Sequence, residues 1–246
     1  MPTLMEETQI TEELIAEDQV QDLKYVDASG RAYGGVKRVL DFVLAALGLT
    51  VLLIPFALVA LAVWIDDPGK VIFSQKRVGR NRKLFRLYKF RTMKLDTPKY
   101  MATSNVDDPD KYITRVGRVL RKLSLDEIPQ LFNVLKGDMS LVGPRPLIPN
   151  EEEIHNMRER FGVYTVRPGV TGLAQINGRD LVAPADKVRW DVRYVESFGL
   201  WTDIKILLAT VPKVFGGEGV VEGYDSQNEG KEQAEPAASE DASVCK

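Results

Sequence analysis

The sequence predicts an α+β fold: a membrane-associated helical domain with a re-entrant N-terminal hydrophobic helix, a small antiparallel sheet and interfacial helices. Three observations predict it. Phe42 to Ile65 (FVLAALGLTVLLIPFALVALAVWI) is an apolar run long enough to cross a bilayer. Leu84 to Met93 (LFRLYKFRTM) alternates in the strand period. Tyr112–Leu123 and Leu200–Phe215 repeat apolar residues at helical spacing. At 246 residues the chain holds one ordinary domain plus appendages. It contains no G-x-G-x-x-G or G-x-x-x-x-G-K-[ST] loop, which removes the common nucleotide-binding frames.

Residues 1–34 are an acidic arm, expected to be flexible, with at most a short helix near Ile10–Ile15. Residues 35–68 carry the apolar run. It starts too deep and is too long to be a cleaved signal peptide. Pro55 lies near its middle, where the missing N–H kinks a helix. Lys37 and Arg38 precede the run, and Lys70, Lys76 and Arg77 follow it, so the positive-inside rule keeps both flanks on the cytoplasmic side. A helix that enters, bends and returns satisfies both facts, and a kinked transmembrane helix stays open as the alternative.

Residues 69–222 form the main domain. Asp66-Asp67-Pro68-Gly69 is a turn, and Val71–Gln75 begins a strand. After the turn Arg77–Lys83, one strand face carries Leu84, Arg86, Tyr88 and Phe90, and the other Phe85, Leu87 and Lys89. In Tyr112–Leu123 the stripe Ile113, Val116, Leu120 and Leu123 is opposed by Arg115, Arg118, Arg121 and Lys122. In Leu200–Phe215 the stripe Trp201, Ile204, Leu208, Val211 and Phe215 suits either a core helix or one lying in the membrane interface. Trp190, Tyr194 and Trp201 suit an interfacial belt or a core equally. Residues 223–246 read as a disordered acidic tail.

The net charge of −2 hides a segregation. Residues 31–125 hold 19 Lys+Arg against 7 Asp and no Glu, while the first and last 30 residues carry eight acids each. A basic body suggests an anionic partner: phosphates, a membrane surface or nucleic acid. Cys245 is the single cysteine, so no internal disulfide forms. His155 is also alone and is expected on a solvated helix face; no His/Cys set for zinc exists.

The chemistry concentrates between Arg121 and Pro146 (RKLSLDEIPQLFNVLKGDMSLVGPRP). Ser124-x-x-Glu127 matches a capping box, and Asp126 could instead cap a helix that takes Pro129 in its first turn. The same residues serve phosphoryl chemistry. Arg145, set between two prolines in Gly143-Pro144-Arg145-Pro146, presents a planar guanidinium from a stiff backbone. A carboxylate flanked by cations is expected to stay ionised, able to bind Mg²⁺ or attack phosphorus. Asp191 and Asp203 are expected in solvated or capping roles.

KRVLDFVLAALGL, VIFSQKRVGRNRKLFRLYKFRTM, LRKLSLDEIPQLFNVLKGDMSLVGPRPL and RPGVTGLAQINGR, in that order, resemble the bacterial sugar transferase family. These are monotopic phosphoglycosyl transferases that use polyprenyl phosphate, and the resemblance runs from about Lys37 to Val220. It implies that Asp126 is the nucleophile toward a UDP-sugar and also meets the Mg²⁺ cofactor, with Glu127 handling a proton or positioning. It implies that Arg121, Arg145 and Arg91 hold phosphates, and that Gln175, Asn177 and Arg179 read the substrate, with glycines of the RPGVTG block turning near the nucleotide. It implies a re-entrant helix broken at Pro55, although Ile54 stands where the family often has Ser. The A-Q-x-N-G-R form points to an N-acetylated amino-sugar donor, with a UDP-hexose as the alternative. The expected partners are UDP-sugar, polyprenyl (undecaprenyl) phosphate and the lipid bilayer at a bacterial inner membrane, catalytic domain facing the cytoplasm. Nucleic acid is not expected, because it would leave the Asp-Glu and Pro-Arg-Pro array unexplained. A homodimer and downstream glycosyltransferases stay open. The rival reading is a non-catalytic membrane-anchored protein that binds anionic lipid or nucleic acid.

Overall fold

The computed structural model describes residues 20, 22–95, 97, 111–177 and 183–216. The helix expected near Ile10–Ile15, Arg179 and the tail from 223 lie outside them.

The apolar run folds as two helices, α1 (Tyr33–Val51) and α2 (Leu53–Asp66), bent by 64° at Leu52. The expected break at Pro55 falls three residues earlier, for a physical reason. Pro55 lacks the N–H that would bond Val51, and its ring crowds that carbonyl, so the helix gives way on the N-terminal side. Pro55 then sits in the first turn of α2, where its missing donor costs nothing. Among the described residues no single helix is long and apolar enough to cross a membrane, but the bent pair passes by length and composition together. Its surface is apolar and open: Leu53, Ile54 and Leu58 are all exposed.

The strand alternation forms an antiparallel pair, β1 (Ile72–Val78) and β2 (Leu84–Phe90), in register from Ile72↔Phe90 to Val78↔Leu84. Next come α3 (Arg115–Lys122), α4 (Gln130–Lys136), β3 (Ser140–Val142), α5 (Glu152–Arg160), β4 (Gly169–Thr171), α6 (Leu173–Ile176), α7 (Pro184–Glu196) and α8 (Leu200–Gly216). β3 and β4 form a second, parallel pair that the sequence pattern did not reveal, because each is only three residues long.

Four apolar clusters hold these parts. Val63 of α2 packs with Phe90 of β2 and Leu120 of α3, and Leu125 and Ile128 press against the same cluster. The segment bearing Asp126 is therefore seated over the end of the bent helix pair. Ala45 of α1 packs with Leu87, Val134 and Met139. The expected flexible arm is ordered near its end: Val20 and Ala28 are core residues, and Ala28 N donates to Thr165 Oγ1 (3.3 Å).

Several polar residues expected in solvent are buried. His155 is 1% exposed; its Nε2 donates to the Ile148 carbonyl (2.8 Å) and its Nδ1 accepts from the Tyr164 hydroxyl. The carbonyl can only accept, which places the proton on Nε2. Asp191 pairs with Arg158 at 2.5 Å in the core. Asp203 accepts from Lys37 Nζ (2.5 Å) and from the hydroxyls of Tyr33 (2.7 Å) and Tyr194 (3.0 Å). Tyr194 is thus a core residue, not part of a belt. Burying these groups is tolerated because each is matched by an opposite charge or a donor. On α8 the stripe through Trp201, Leu208 and Val211 is exposed, and Asp203, Ile206 and Leu207 face the body instead.

Candidate active site

Neither capping reading of Ser124 and Asp126 holds. Ser124 adopts a left-handed backbone (φ 53°) and its side chain caps nothing. Leu125–Glu127 forms one 3₁₀ turn, and α4 begins only at Gln130, behind Pro129. The serine reverses the chain after α3, so Asp126 turns inward and is 7% exposed.

There the carboxylates meet Lys89 of β2. Lys89 Nζ lies 2.9 Å from Glu127 Oε1 and 3.6 Å from Asp126 Oδ2. Arg145 Nη1 reaches the same Glu127 oxygen at 3.5 Å. Arg77, Lys89, Glu127, Gln130 and Arg145 line a crevice of about 20 Å³. Burial raises the Asp126 carboxyl above the ordinary carboxylate range; Lys89 opposes this most, the Glu127 charge adds to it, and Arg121 and Arg145 oppose it less. The expectation that flanking cations dominate is corrected: desolvation wins.

The Pro-Arg-Pro loop is held along its whole backbone. The Pro144 carbonyl accepts from Gly169 N (2.9 Å), Arg145 from Arg158 Nη1 (2.8 Å) and Pro146 from Arg77 Nη1 (3.3 Å). Leu147 accepts from Val78 N (3.0 Å), and Ile148 from His155. Three elements, β1, α5 and β4, thus grip five successive carbonyls, which fixes the base from which Arg145 projects. Gly143 and Gly169 cross closely enough that a Cβ on Gly169 would lie 2.1 Å from Gly143 N. The RPGVTG glycines therefore serve this backbone contact; the turn near a nucleotide is not needed to explain them.

The other site residues expected from the sequence are dispersed. Arg121 donates through Nε to Thr92 Oγ1 (3.0 Å) and lies within electrostatic reach of Asp126. Arg91 turns to Asp67, 3.4 Å from its carboxylate, and bonds the Asp67 carbonyl, tying the end of α2 to β2. Gln175 is buried with neither amide atom hydrogen-bonded to a described residue. Asn177 Nδ2 returns to the Leu173 carbonyl (2.8 Å) at the end of α6, and Arg179 lies outside the described residues. Sequence reasoning missed Lys89 and Gln130. Lys89 left one signal: a charge on the face it shares with Phe85 and Leu87.

Among the described residues no three His, Cys, Asp or Glu side chains converge as a metal cage. The adjacent Asp126 and Glu127 carboxylates fit Mg²⁺ in its usual enzymic form, with one or two protein carboxylates and the rest of the shell from phosphate oxygens and water.

A family model for bacterial sugar transferases matches residues 32–217. The chain belongs to that family. Among its relatives in this family, UDP-glucose:undecaprenyl-phosphate glucose-1-phosphate transferase of Caulobacter vibrioides is 43% identical over 188 residues, covering 72% of this chain and 69% of the relative. Galactosyl transferase CpsE of Streptococcus agalactiae is 41% identical, over 74% of this chain and 43% of its own length. The UDP-N-acetylgalactosamine-undecaprenyl-phosphate N-acetylgalactosaminephosphotransferase of Aeromonas hydrophila is 38% identical, over 76% and 45%. The chain therefore spans less than half the length of two of these three relatives.

Proposed function

We propose that this sugar transferase moves a sugar-1-phosphate from a UDP-sugar to undecaprenyl phosphate and releases UMP. The observation that carries the reading is the Asp126 carboxylate, buried beside Glu127, Lys89 and Arg145. In the first step an Asp126 oxygen attacks the sugar-linked phosphorus. The phosphorus–oxygen bond to UMP breaks, and UMP leaves with the electron pair. In the second step a phosphate oxygen of the polyprenyl phosphate attacks the aspartyl phospho-sugar at phosphorus. That bond to Asp126 breaks and the carboxylate returns. Glu127, hydrogen-bonded to Lys89, takes or positions a proton on the entering phosphate. Lys89, Arg121 and Arg145 offset negative charge as it builds on the transferred group. Mg²⁺ held by the two carboxylates would neutralise diphosphate charge.

Relatives named for glucose, galactose and N-acetylgalactosamine donors match at similar identity, so the donor is proposed at the level of a UDP-hexose or its N-acetylamino counterpart. The bent pair α1–α2 serves as a re-entrant membrane anchor at the inner membrane, with the site at headgroup height on the cytoplasmic side. The reaction would open the membrane stage of a polysaccharide or glycoconjugate pathway. The test is UMP release by purified full-length protein with a panel of UDP-sugars, with and without Mg²⁺ and undecaprenyl phosphate. One sugar should support lipid-dependent release that Asp126→Asn abolishes; folded Asp126→Asn working near the wild-type rate would sink the nucleophile assignment.

A further inference from the structure

A second cavity lies apart from the crevice at Asp126. It measures about 420 Å³, within the range of small-ligand sites, and shares no lining residue with that crevice. It lies where the end of α2 meets the start of α3, among Asp66, Asp67, Lys94, Lys111, Arg115 and Arg118.

The two acids in its wall are already engaged. Asp66 Oδ2 accepts from Val116 N (2.9 Å) at the α3 N-terminus, and Asp67 pairs with Arg91 (3.4 Å). The cations differ. Among the described residues Lys94, Arg115 and Arg118 make no ion pair. The α3 N-terminus has little left to offer an anion by itself. Val116 N is taken by Asp66, Gly117 N by Thr114 Oγ1 (2.9 Å) and Arg118 N by the Thr114 carbonyl (3.0 Å). Recognition in the cavity therefore falls to the side-chain cations.

The wall is rigid. A Cβ on Gly117 would lie 2.2 Å from the Thr92 carbonyl, so α3 is seated directly on the strand that leads to Lys94. Arg115, Arg118 and Arg121 follow one another at three-residue steps along α3, which places them along one side of the helix. The last of them reaches the Asp126 field. Unmatched cations held by a fixed frame favour a compact polyanion over solvent.

We infer that this cavity is a second anion site, one that takes a phosphate or diphosphate group and stands apart from the crevice at Asp126. Two sources share that chemistry: a soluble diphosphate, as on a nucleotide, and the phosphate of an anionic lipid headgroup. The site goes beyond the proposed reaction, and its test does not depend on turnover.

Binding is measured by calorimetry on the full-length chain in an Arg145→Gln background without Mg²⁺, so that phosphate held in the crevice is not counted. The probes are inorganic pyrophosphate and nanodiscs of phosphatidylcholine with or without phosphatidylglycerol, read by the shift in Tm. Adding Arg115→Gln and Arg118→Gln should weaken binding on the order of 30-fold, and Lys94→Gln alone about 5-fold. The Lys94 variant keeps the test open should the paired variant unfold, since Lys94 is exposed and outside any helix. A response to pyrophosphate alone assigns the site to soluble diphosphates, and one to phosphatidylglycerol alone assigns it to lipid headgroups. Equal binding with and without the three cations, or no response to either probe, overturns the inference.

Discussion

Arg158→Met removes the cation that the core places against Asp191. Both side chains are nearly inaccessible, at 3% and 2%, and meet at 2.5 Å. Methionine fills much of the same volume, so the loss is electrostatic. Asp191 is left charged in the interior, and breaking one side of such a pair costs about 3–5 kcal/mol. The same change frees the Arg145 carbonyl, which had accepted from Arg158 Nη1. In a chain of this size that cost lowers Tm by about 6–20 °C. Thermal unfolding at pH 7, followed by circular dichroism, measures it. Burial holds the Asp191 carboxyl above the ordinary range while Arg158 pulls it down, so removing Arg158 raises it further. As pH falls through that raised value, Asp191 takes up a proton and the unpaired charge disappears. The deficit of the variant relative to wild type should therefore shrink toward low pH. Replacing both partners, Arg158→Met with Asp191→Leu, should recover most of the loss. Additive losses in the double variant, or a deficit that does not change with pH, would refute the reasoning.

Asn133 stands in for a neighbouring strand: its Oδ1 accepts from Tyr88 N (3.0 Å) and its Nδ2 donates to the Arg86 carbonyl (2.6 Å). Asn133→Ala leaves both backbone groups of β2 unmatched and should cost about 2–4 kcal/mol in urea unfolding, and Asn133→Asp should not rescue it, because a carboxylate cannot donate to the Arg86 carbonyl and would face Asp138. Ser124→Gly relieves a left-handed serine and should stabilise the protein by about 1 kcal/mol, whereas Ser124→Val should destabilise it; a glycine variant no more stable than wild type argues against strain at this turn. Asp126→Asn should raise stability by about 1 kcal/mol at pH 7, because burial makes ionisation of Asp126 costly. The sign follows from its raised carboxyl: the wild type loses stability as pH rises through the folded value. The gain should vanish below about pH 4, where the unfolded carboxyl is also protonated, and a destabilised variant at pH 7 would contradict this.

Much of the fold was legible because local rules determined it. The alternation from Leu84 to Phe90 gave β2, and the 3.6-residue spacing around Val116 and Leu120 gave α3. The parallel pairing of β3 with β4 was not legible, since it depends on segments far apart in sequence and too short to show a period. Within the site, Asp126, Glu127 and Arg145 stood out from neighbouring residues, but their cation partner did not. Lys89 is 37 residues from Asp126, and only the packing of β2 against the turn Leu125–Glu127 brings them together.

The sequence by itself determined the family, the amphipathic elements, the apolar run and the stiff Pro-Arg-Pro loop. Each is encoded in residues that are neighbours along the chain, where backbone sterics and hydrophobic spacing act directly. Only the tertiary structure decided whether His155, Asp191 and Asp203 face water or the core, which face of α8 is open, and which way the Asp126 carboxyl shifts. Those outcomes depend on desolvation and on charges supplied by distant segments. Burial is a property of the assembled packing, and no local pattern of residues specifies it.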